Sequence, residues 1–310
     1  MKNKLIGMDF AVEVVQTVLM TGQLADEKPV SLLIIASPES GKTTAARKAN
    51  VSIESSGNRG DELTTTLTDA TGKGLLKIVR EHPKAPHITF NDLSIVIGHK
   101  SQVINYLFSV ISALTEEGIV KTADPGGIQP YGEEGLKGII GCITPELVRD
   151  KRLVWNRTGL TTRMLPFFYE QGLNIRLKAE KYHAGLKDYS ESDDEITLRL
   201  PRKKMHVTIS TSRKEQIMEL AKDLAKKLSR EGRTKGNPHY EELGYRRIIQ
   251  FISLAKAHSL LKHPKDDEPR VHRKDIEFLR KLSSFVSYKK PEDLEESSSS
   301  SSSDNEKRGE

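Results

Sequence analysis

The chain has 310 residues, a formal net charge of +6, 36% hydrophobic residues and 30% charged residues. That length can bury one large core with a smaller unit beside it, and the composition fits a globular protein with an extended polar surface. The single cysteine, Cys142, excludes an intrachain disulfide and a multi-cysteine zinc site.

The longest apolar-rich run, "VINYLFSVISAL", falls short of the roughly 20 residues that span a bilayer. The N-terminus "MKNKLIGMDFAVEVV" has no continuous apolar core and no small-residue cleavage site. A cytoplasmic protein with no membrane partner is therefore expected. The basic excess leans toward polyanionic partners, nucleic acid or nucleotide.

In chain order, residues 10–24 ("FAVEVVQTVLMTGQL") carry apolar residues at helical spacing. "VSLLIIAS" is a continuous apolar run between Pro29 and Pro38, the pattern of a strand buried on both faces. A helix is predicted from about Gly41. "DELTTTL" reads as a strand, "GKGLLKIVREH" as a helix and "HITFNDLSIVIG" as a third apolar segment. "SQVINYLFSVISALTEEGIVK" is a long helix with Gly118 as its stop signal. "TADPGGIQPYGEEG" is turn-rich, while "LKGIIGCITPE" and "RMLPFFYEQG" complete the strands. Cys142, inside the first of these, is expected to be a buried thiol.

Strands alternating with helices predict an α/β domain on a parallel sheet, over residues 1–178. Residues 179–205 read as a linker or β-hairpin insertion, because "AEKYHAGLKDYSESDDE" is polar and acidic and "ITLRLPRKKMHVTIS" alternates like a short β-pair. Three helical patterns fill residues 206–290. The Ser-rich acidic stretch 291–310 has no apolar content to build a core, and disorder is expected there.

The stretch "ASPESGKTT" carries the chemistry. A phosphate loop works because successive backbone N–H groups converge on phosphate at a helix N-terminus, a lysine adds charge and the next hydroxyl ligates Mg²⁺. Gly41, Lys42 and Thr43 supply the glycine, lysine and hydroxyl directly after a buried strand, while Ala36 stands where the consensus has its first glycine. Ser37, Pro38, Glu39, Ser40, Gly41, Lys42, Thr43 and Thr44 are thus the expected nucleotide contacts, with ATP and Mg²⁺ as cofactors. Asp92 in "HITFNDLS" ends a strand and is the preferred metal carboxylate beside Thr43. Leu93 follows it, so the water-activating and metal carboxylates cannot both come from this strand end. With Asn91 and Asp92 in the two positions, Asp92 would instead be the base and Asn91 a poor ligand.

On these motifs the chain resembles the AAA+ ATPases. "GIIGCITPE" resembles the strand that ends in a polar sensor, which implies Thr144 near the γ-phosphate. "NRTGLTTRMLPFF" resembles the segment that carries the arginine finger in minichromosome-maintenance helicases, which implies Arg163, with Arg157 a second choice. "GYRRIIQFISLAKAHSLL" followed by "VHRKDIEFLRKL" resembles the helical lid of that group, with Arg246 or Arg247 at the position of a second sensor arginine.

The resemblance implies a P-loop NTPase fold with a C-terminal lid. It also implies ATP hydrolysis with Asp92, Thr144 and Arg163 in catalytic roles, a homo-oligomeric ring or spiral, and work on DNA in replication or mobile-element maintenance. Two other readings stand beside it: an ATP-dependent switch or scaffold that hydrolyses little, and a P-loop ATPase of DNA packaging or partition outside the AAA+ group. Each residue also has a plain alternative. Thr144 before Pro145 could be a turn or cap residue, Arg163 could pair with Glu146 or Glu170, and Arg246 and Arg247 could be solvated. The run "PRKKMH" could touch phosphate or protect a hairpin edge, and His258 is expected to be packed.

Overall fold

The computed structural model describes residues 7–46, 63–119, 121–124, 127–130, 135–157, 159–170, 173–184, 200–201, 203–232 and 244–289. The Ser-rich stretch, most of the acidic segment and Arg202 lie outside them.

Helix α1 (Asp9–Met20) precedes β1 (Ser31–Ile35), and the sheet follows as β2 (Thr64–Leu67), α2 (Gly72–Glu81), β3 (His87–Phe90), α3 (Leu93–Ile97) and α4 (Ser101–Glu116). A hairpin β4 (Lys121–Asp124) and β5 (Gly127–Pro130) comes next, then β6 (Gly138–Ile143), α5 (Pro145–Arg157), the short α6 (Leu160–Arg163), β7 (Met164–Phe168) and α7 (Leu173–His183). Helices α8 (Thr211–Gly232), α9 (Tyr245–Lys262) and α10 (Arg273–Phe285) form the C-terminal helical region.

Five strands make one parallel sheet in the order β2-β3-β6-β1-β7. Its middle strands are buried throughout: "SLLII", "HITF" and "GIIGCI" leave no residue for solvent. Both faces must therefore be covered, the condition that favours continuous apolar runs over alternation. Helices α3 and α4 lie against β6, and α1 lies between β1 and α9. Helix α9 packs in turn on α8 and α10, so the C-terminal helices share the core through α1 rather than standing apart.

Two expectations change. Residues 121–124 and 127–130, read as turns, pair as the antiparallel strands β4 and β5. Helix α7 continues to His183, past the expected boundary at 178. The first half of the expected β-pair over residues 196–210 lies outside the described residues. In its second half Met205 exchanges backbone bonds with Gln23 and Ala25, while Thr208 bonds Pro269 and Val271. That segment is a strap joining the loop after α1 to the turn before α10.

Candidate functional site

The end of β1 is built by its neighbour. Ala36 is fully buried and its N–H donates to Ile143 O on β6 at 3.1 Å, so the chain stays in the ladder until the loop begins. Ala36 thus packs its methyl into the core, and a glycine there is dispensable. The loop then turns at Ser37–Ser40, closed by Ser40 N–H to Ser37 O at 3.3 Å. Pro38 sits second in that turn and Glu39 third, with a φ of +62° that most side chains avoid. Gly41 follows at φ +77°, and residues 42–46 are helical, their first bond running from Ala45 N–H to Gly41 O at 2.8 Å. Helical geometry leaves the N–H groups of residues 42–44 without earlier carbonyls, aimed at the space over the loop.

Two side chains close this loop. Lys42 Nζ reaches back to Ser37 O at 3.4 Å, and Thr43 donates its hydroxyl to the Asn91 carbonyl at 3.1 Å. That second bond spans from β1 to β3, which are not neighbours; β6 lies between them. Asp92 caps α3, its Oδ1 accepting from Ser94 N–H at 2.9 Å. Thr144, directly after β6, accepts the N–H of Val148 through its carbonyl and so opens α5. Lys42, Thr43, Asp92 and Thr144 therefore share one rim of the sheet, the carboxyl ends of β1, β3 and β6. Ligands of open α/β sheets bind in this crevice, where successive connections leave in opposite directions; here β1 leads to β2 at one edge and β6 to β7 at the other.

Cys142 reports on the same rim. Burial pushes its thiol up to about 12, and the charges of Lys42 and Asp92 act on it in opposite senses. The thiol is an inert floor, as expected of a buried cysteine.

Two buried polar atoms at this rim have no hydrogen-bond partner among the described residues: Ser40 Oγ and Asn91 Oδ1. Orphans of this kind are rare enough to need a reason, and a ligand or its water supplies one. Among the described residues no three His, Cys, Asp or Glu side chains cluster as metal ligands. Mg²⁺ does not need such a cage, since one carboxylate with nucleotide phosphates and waters serves it. The residues fit: the Thr43 hydroxyl, the Asp92 carboxylate and the neutral Asn91 carboxamide are all oxygen donors.

The arginines sit elsewhere. Arg163 immediately precedes β7, whose Met164 pairs with Ser31 at the start of β1. It lies at the amino end of the sheet, one strand length from Lys42. Arg163 is folded inward: Nη1 donates to Gly159 O at 2.8 Å and Nη2 meets Glu116 Oε2 at 3.3 Å. Gly159 takes φ +71°, the left-handed conformation that favours glycine. Arg246 forks onto the same carboxylate, Nε to Oε1 at 2.7 Å and Nη2 to Oε2 at 3.0 Å, and Nη1 donates to Thr162 Oγ1 at 2.8 Å. Lys28 donates to the carbonyl of Glu116 as well.

A cavity of about 370 Å³ opens beside this group, lined by Lys28, Glu116, Arg163, Arg246, Gln250 and Ser253 among others. Arg163 pairs with Glu116; Glu170 pairs instead with Arg176. Arg247 is buried, donating to the carbonyls of Met164 and Thr161 and to Gln250 Oε1. It fastens α9 to the core. Arg157 closes α5.

Neither Glu116 nor the Thr43–Asn91 bond was legible beforehand. Glu116 is one of two glutamates in "TEEGIVK" and carries no motif. No family model and no curated protein sequence matches this chain. Among the described residues no helix is long and apolar enough to cross a membrane.

Proposed function

We propose that the chain is a P-loop ATPase of the AAA+ type that binds ATP with Mg²⁺, hydrolyses it as a homo-oligomer and acts on DNA. The observation that carries the reading is the bond from Thr43 to the Asn91 carbonyl. It draws the loop helix onto the end of β3, so the hydroxyl and Asp92 converge beside the free N–H groups of the loop. Those N–H groups and Lys42 would hold the phosphates, and the orphaned Ser40 hydroxyl would gain a partner there. Bound Mg²⁺ would supply charge neutralisation at the β- and γ-phosphate oxygens. Thr43 and Asp92 would hold it, and Thr144 would orient the γ-phosphate from the end of β6.

Arg163 and Arg246 are about 16 Å from the loop by strand length alone, five residues at about 3.3 Å each. An arginine so placed does not reach its own chain's loop, so the arginine-finger reading of Arg163 requires a neighbouring subunit's site. DNA as the object of the work rests on the basic balance and the resemblance.

A second reading has its own support. Asp92 is tied up as a helix cap, and Asn91 brings no charge, so one carboxylate stands for two. That favours slow turnover and a nucleotide-operated switch.

Nucleotide binding and phosphate release, compared between the wild type and Lys42→Ala, test both. Binding lost by roughly 10- to 100-fold in the variant, as expected for losing a charged hydrogen bond, supports the site. Equal release from the two proteins removes the enzyme and leaves the switch. Equal binding removes the site. Mixing Arg163→Ala with Lys42→Ala subunits restores part of the turnover if the arginine acts across subunits.

A further inference from the structure

Helix α4 has an unusual surface for a chain in which 30% of residues are charged. From Ser101 to Thr115 it contains no charged residue, yet it is not buried all round. Leu107, Phe108, Val110, Ile111 and Leu114 face the core. Gln102, Asn105, Tyr106 and Ser109 form an exposed stripe at i, i+3, i+4 and i+7. The Tyr106 ring is 46% exposed, and Ile95 on α3 is also exposed. Ser109 gives its hydroxyl to the Asn105 carbonyl. The carboxamides of Gln102 and Asn105 have no protein partner among the described residues.

Basic residues rim the stripe. Tyr106 lies against the N-terminal end of α2 so closely that a Cβ on Gly72 would meet its ring at 2.4 Å. The next residue is Lys73, and α2 turns Lys73, Lys77 and Arg80 outward while Leu75, Leu76 and Val79 face the core. Lys100 stands exposed at the head of α4. The acidic residues nearby are engaged: Asp69 with His99 at 2.8 Å and Glu81 with Lys77 at 3.7 Å, the latter a solvated contact of little energy. The other exposed helices interleave both signs, as in Asp223–Lys226 on α8 and Arg273–Glu277 on α10.

We propose that the α2–α4 face binds single-stranded nucleic acid, with a base stacked on Tyr106, base edges on Gln102 and Asn105, and phosphates along Lys73, Lys77 and Lys100. Uncharged hydrogen-bonding groups around an aromatic ring suit unstacked bases, which every sequence offers. A lysine rim suits the backbone, whose contacts position without reading sequence. A duplex hides its base faces and can use only the rim. The proposal rests on the nucleic-acid half of the functional reading and not on its nucleotide chemistry.

Fluorescence anisotropy with labelled oligothymidine, oligouridine and a DNA duplex across a potassium chloride series tests it, with no nucleotide added. Tyr106→Leu is expected to weaken single-strand binding roughly 5- to 100-fold with the salt slope unchanged, and Tyr106→Phe to retain it. Lys73→Ala with Lys77→Ala should lower the slope by about 1.4, the share of two phosphate contacts. The pair Arg273→Ala and Lys274→Ala on α10 should change neither.

The oligomer bound more tightly tells DNA from RNA, and either supports the face. If Tyr106→Leu does not fold, Gln102→Ala with Asn105→Ala carries the same test. Wild-type protein that binds no single strand overturns the proposal, as does binding that these variants leave intact, or a preference for duplex that Tyr106 does not affect. Lys42→Ala separates the two readings: it should still bind the oligomer after losing ATP.

Discussion

The two ends of β1 are finished in opposite ways. At the carboxyl end the chain holds a left-handed glutamate, N–H groups without earlier carbonyls, and the orphaned oxygens of Ser40 and Asn91. At the amino end Glu116 gathers Arg163, Arg246 and Lys28 into one closed group. The first end keeps polar atoms that no described residue satisfies. At the second, Glu116 already engages the two guanidinium groups, and any partner must compete with that carboxylate for them. The two ends thus differ in how far the described residues already occupy their charged groups.

The comparison breaks most sharply at Arg247. It makes the amino end rigid by tying α9 to α6 and β7, and Arg247→Met would take this donor from the carbonyls of Thr161 and Met164, Thr161 keeping only the Tyr288 hydroxyl. A loss of about 3 kcal/mol in a denaturant titration is expected. An unchanged midpoint would show that α9 is held by apolar contacts alone.

Stability should fall at both ends of the pH range. Burial drives His87 at the start of β3 down to about 3, with the Lys137 ammonium adding to it. The unfolded chain protonates this ring near 6.5, so stability present above 6.5 is lost as pH falls toward 3. Glu13 is held down to about 2, chiefly by its hydrogen bond to His258; its share is present above 4.5 and lost as pH falls toward 2. His258 runs the other way. Burial opposes its charge, but hydrogen bonds to Asp275 and Glu13 outweigh that and raise its pKa. Its contribution is full below 6.5 and fades as pH rises through the folded value. Melting curves across pH should therefore fall on both sides, and His258→Gln should flatten the alkaline side and also shrink the share of Glu13 on the acid side, leaving that of His87.

Glu116→Gln sharpens the contrast at modest cost. It keeps the size of the side chain and removes the charge shared by two arginines, so about 1 kcal/mol of stability should go, less at high salt. A larger and salt-independent loss would mean that the group works by packing. The smallest effect belongs to Glu39. Its φ of +62° strains a side chain, and Glu39→Gly should gain about 0.5 kcal/mol by thermal melting, relief of strain partly offset by the freer unfolded chain. No gain, or a loss, would mean that the glutamate side chain holds the turn.

Much of the sheet was readable because its strands are short and wholly apolar, and polar punctuation bounds them. The loop and helix start after β1 were readable because Gly41, Lys42 and Thr43 follow such a run directly. What could not be read is what depends on distant partners. The order β2-β3-β6-β1-β7 follows from packing between distant segments, more than a hundred residues apart where β1 meets β6 and β7. The β4–β5 hairpin hides in a sequence of prolines and glycines, and nothing in "PRKKMH" announces that Met205 and Thr208 bond to distant segments. At the site, residue types suggested Arg246 and Arg247 as equals. Only the fold separates them, one forked on Glu116 and the other buried against the carbonyls of Thr161 and Met164.

The sheet's two borders also differ, and this governs how copies of the chain could join. After α10 the backbone returns to β7, where Val286 bridges Phe167 and Ser287 N–H donates to the Pro166 carbonyl at 3.3 Å. Pro166 has no N–H to offer, so that border is both covered and poor in donors. β2 (Thr64–Leu67), partly exposed, is the other border among the described residues. Growth of the sheet by strand addition is thus disfavoured on the β7 side.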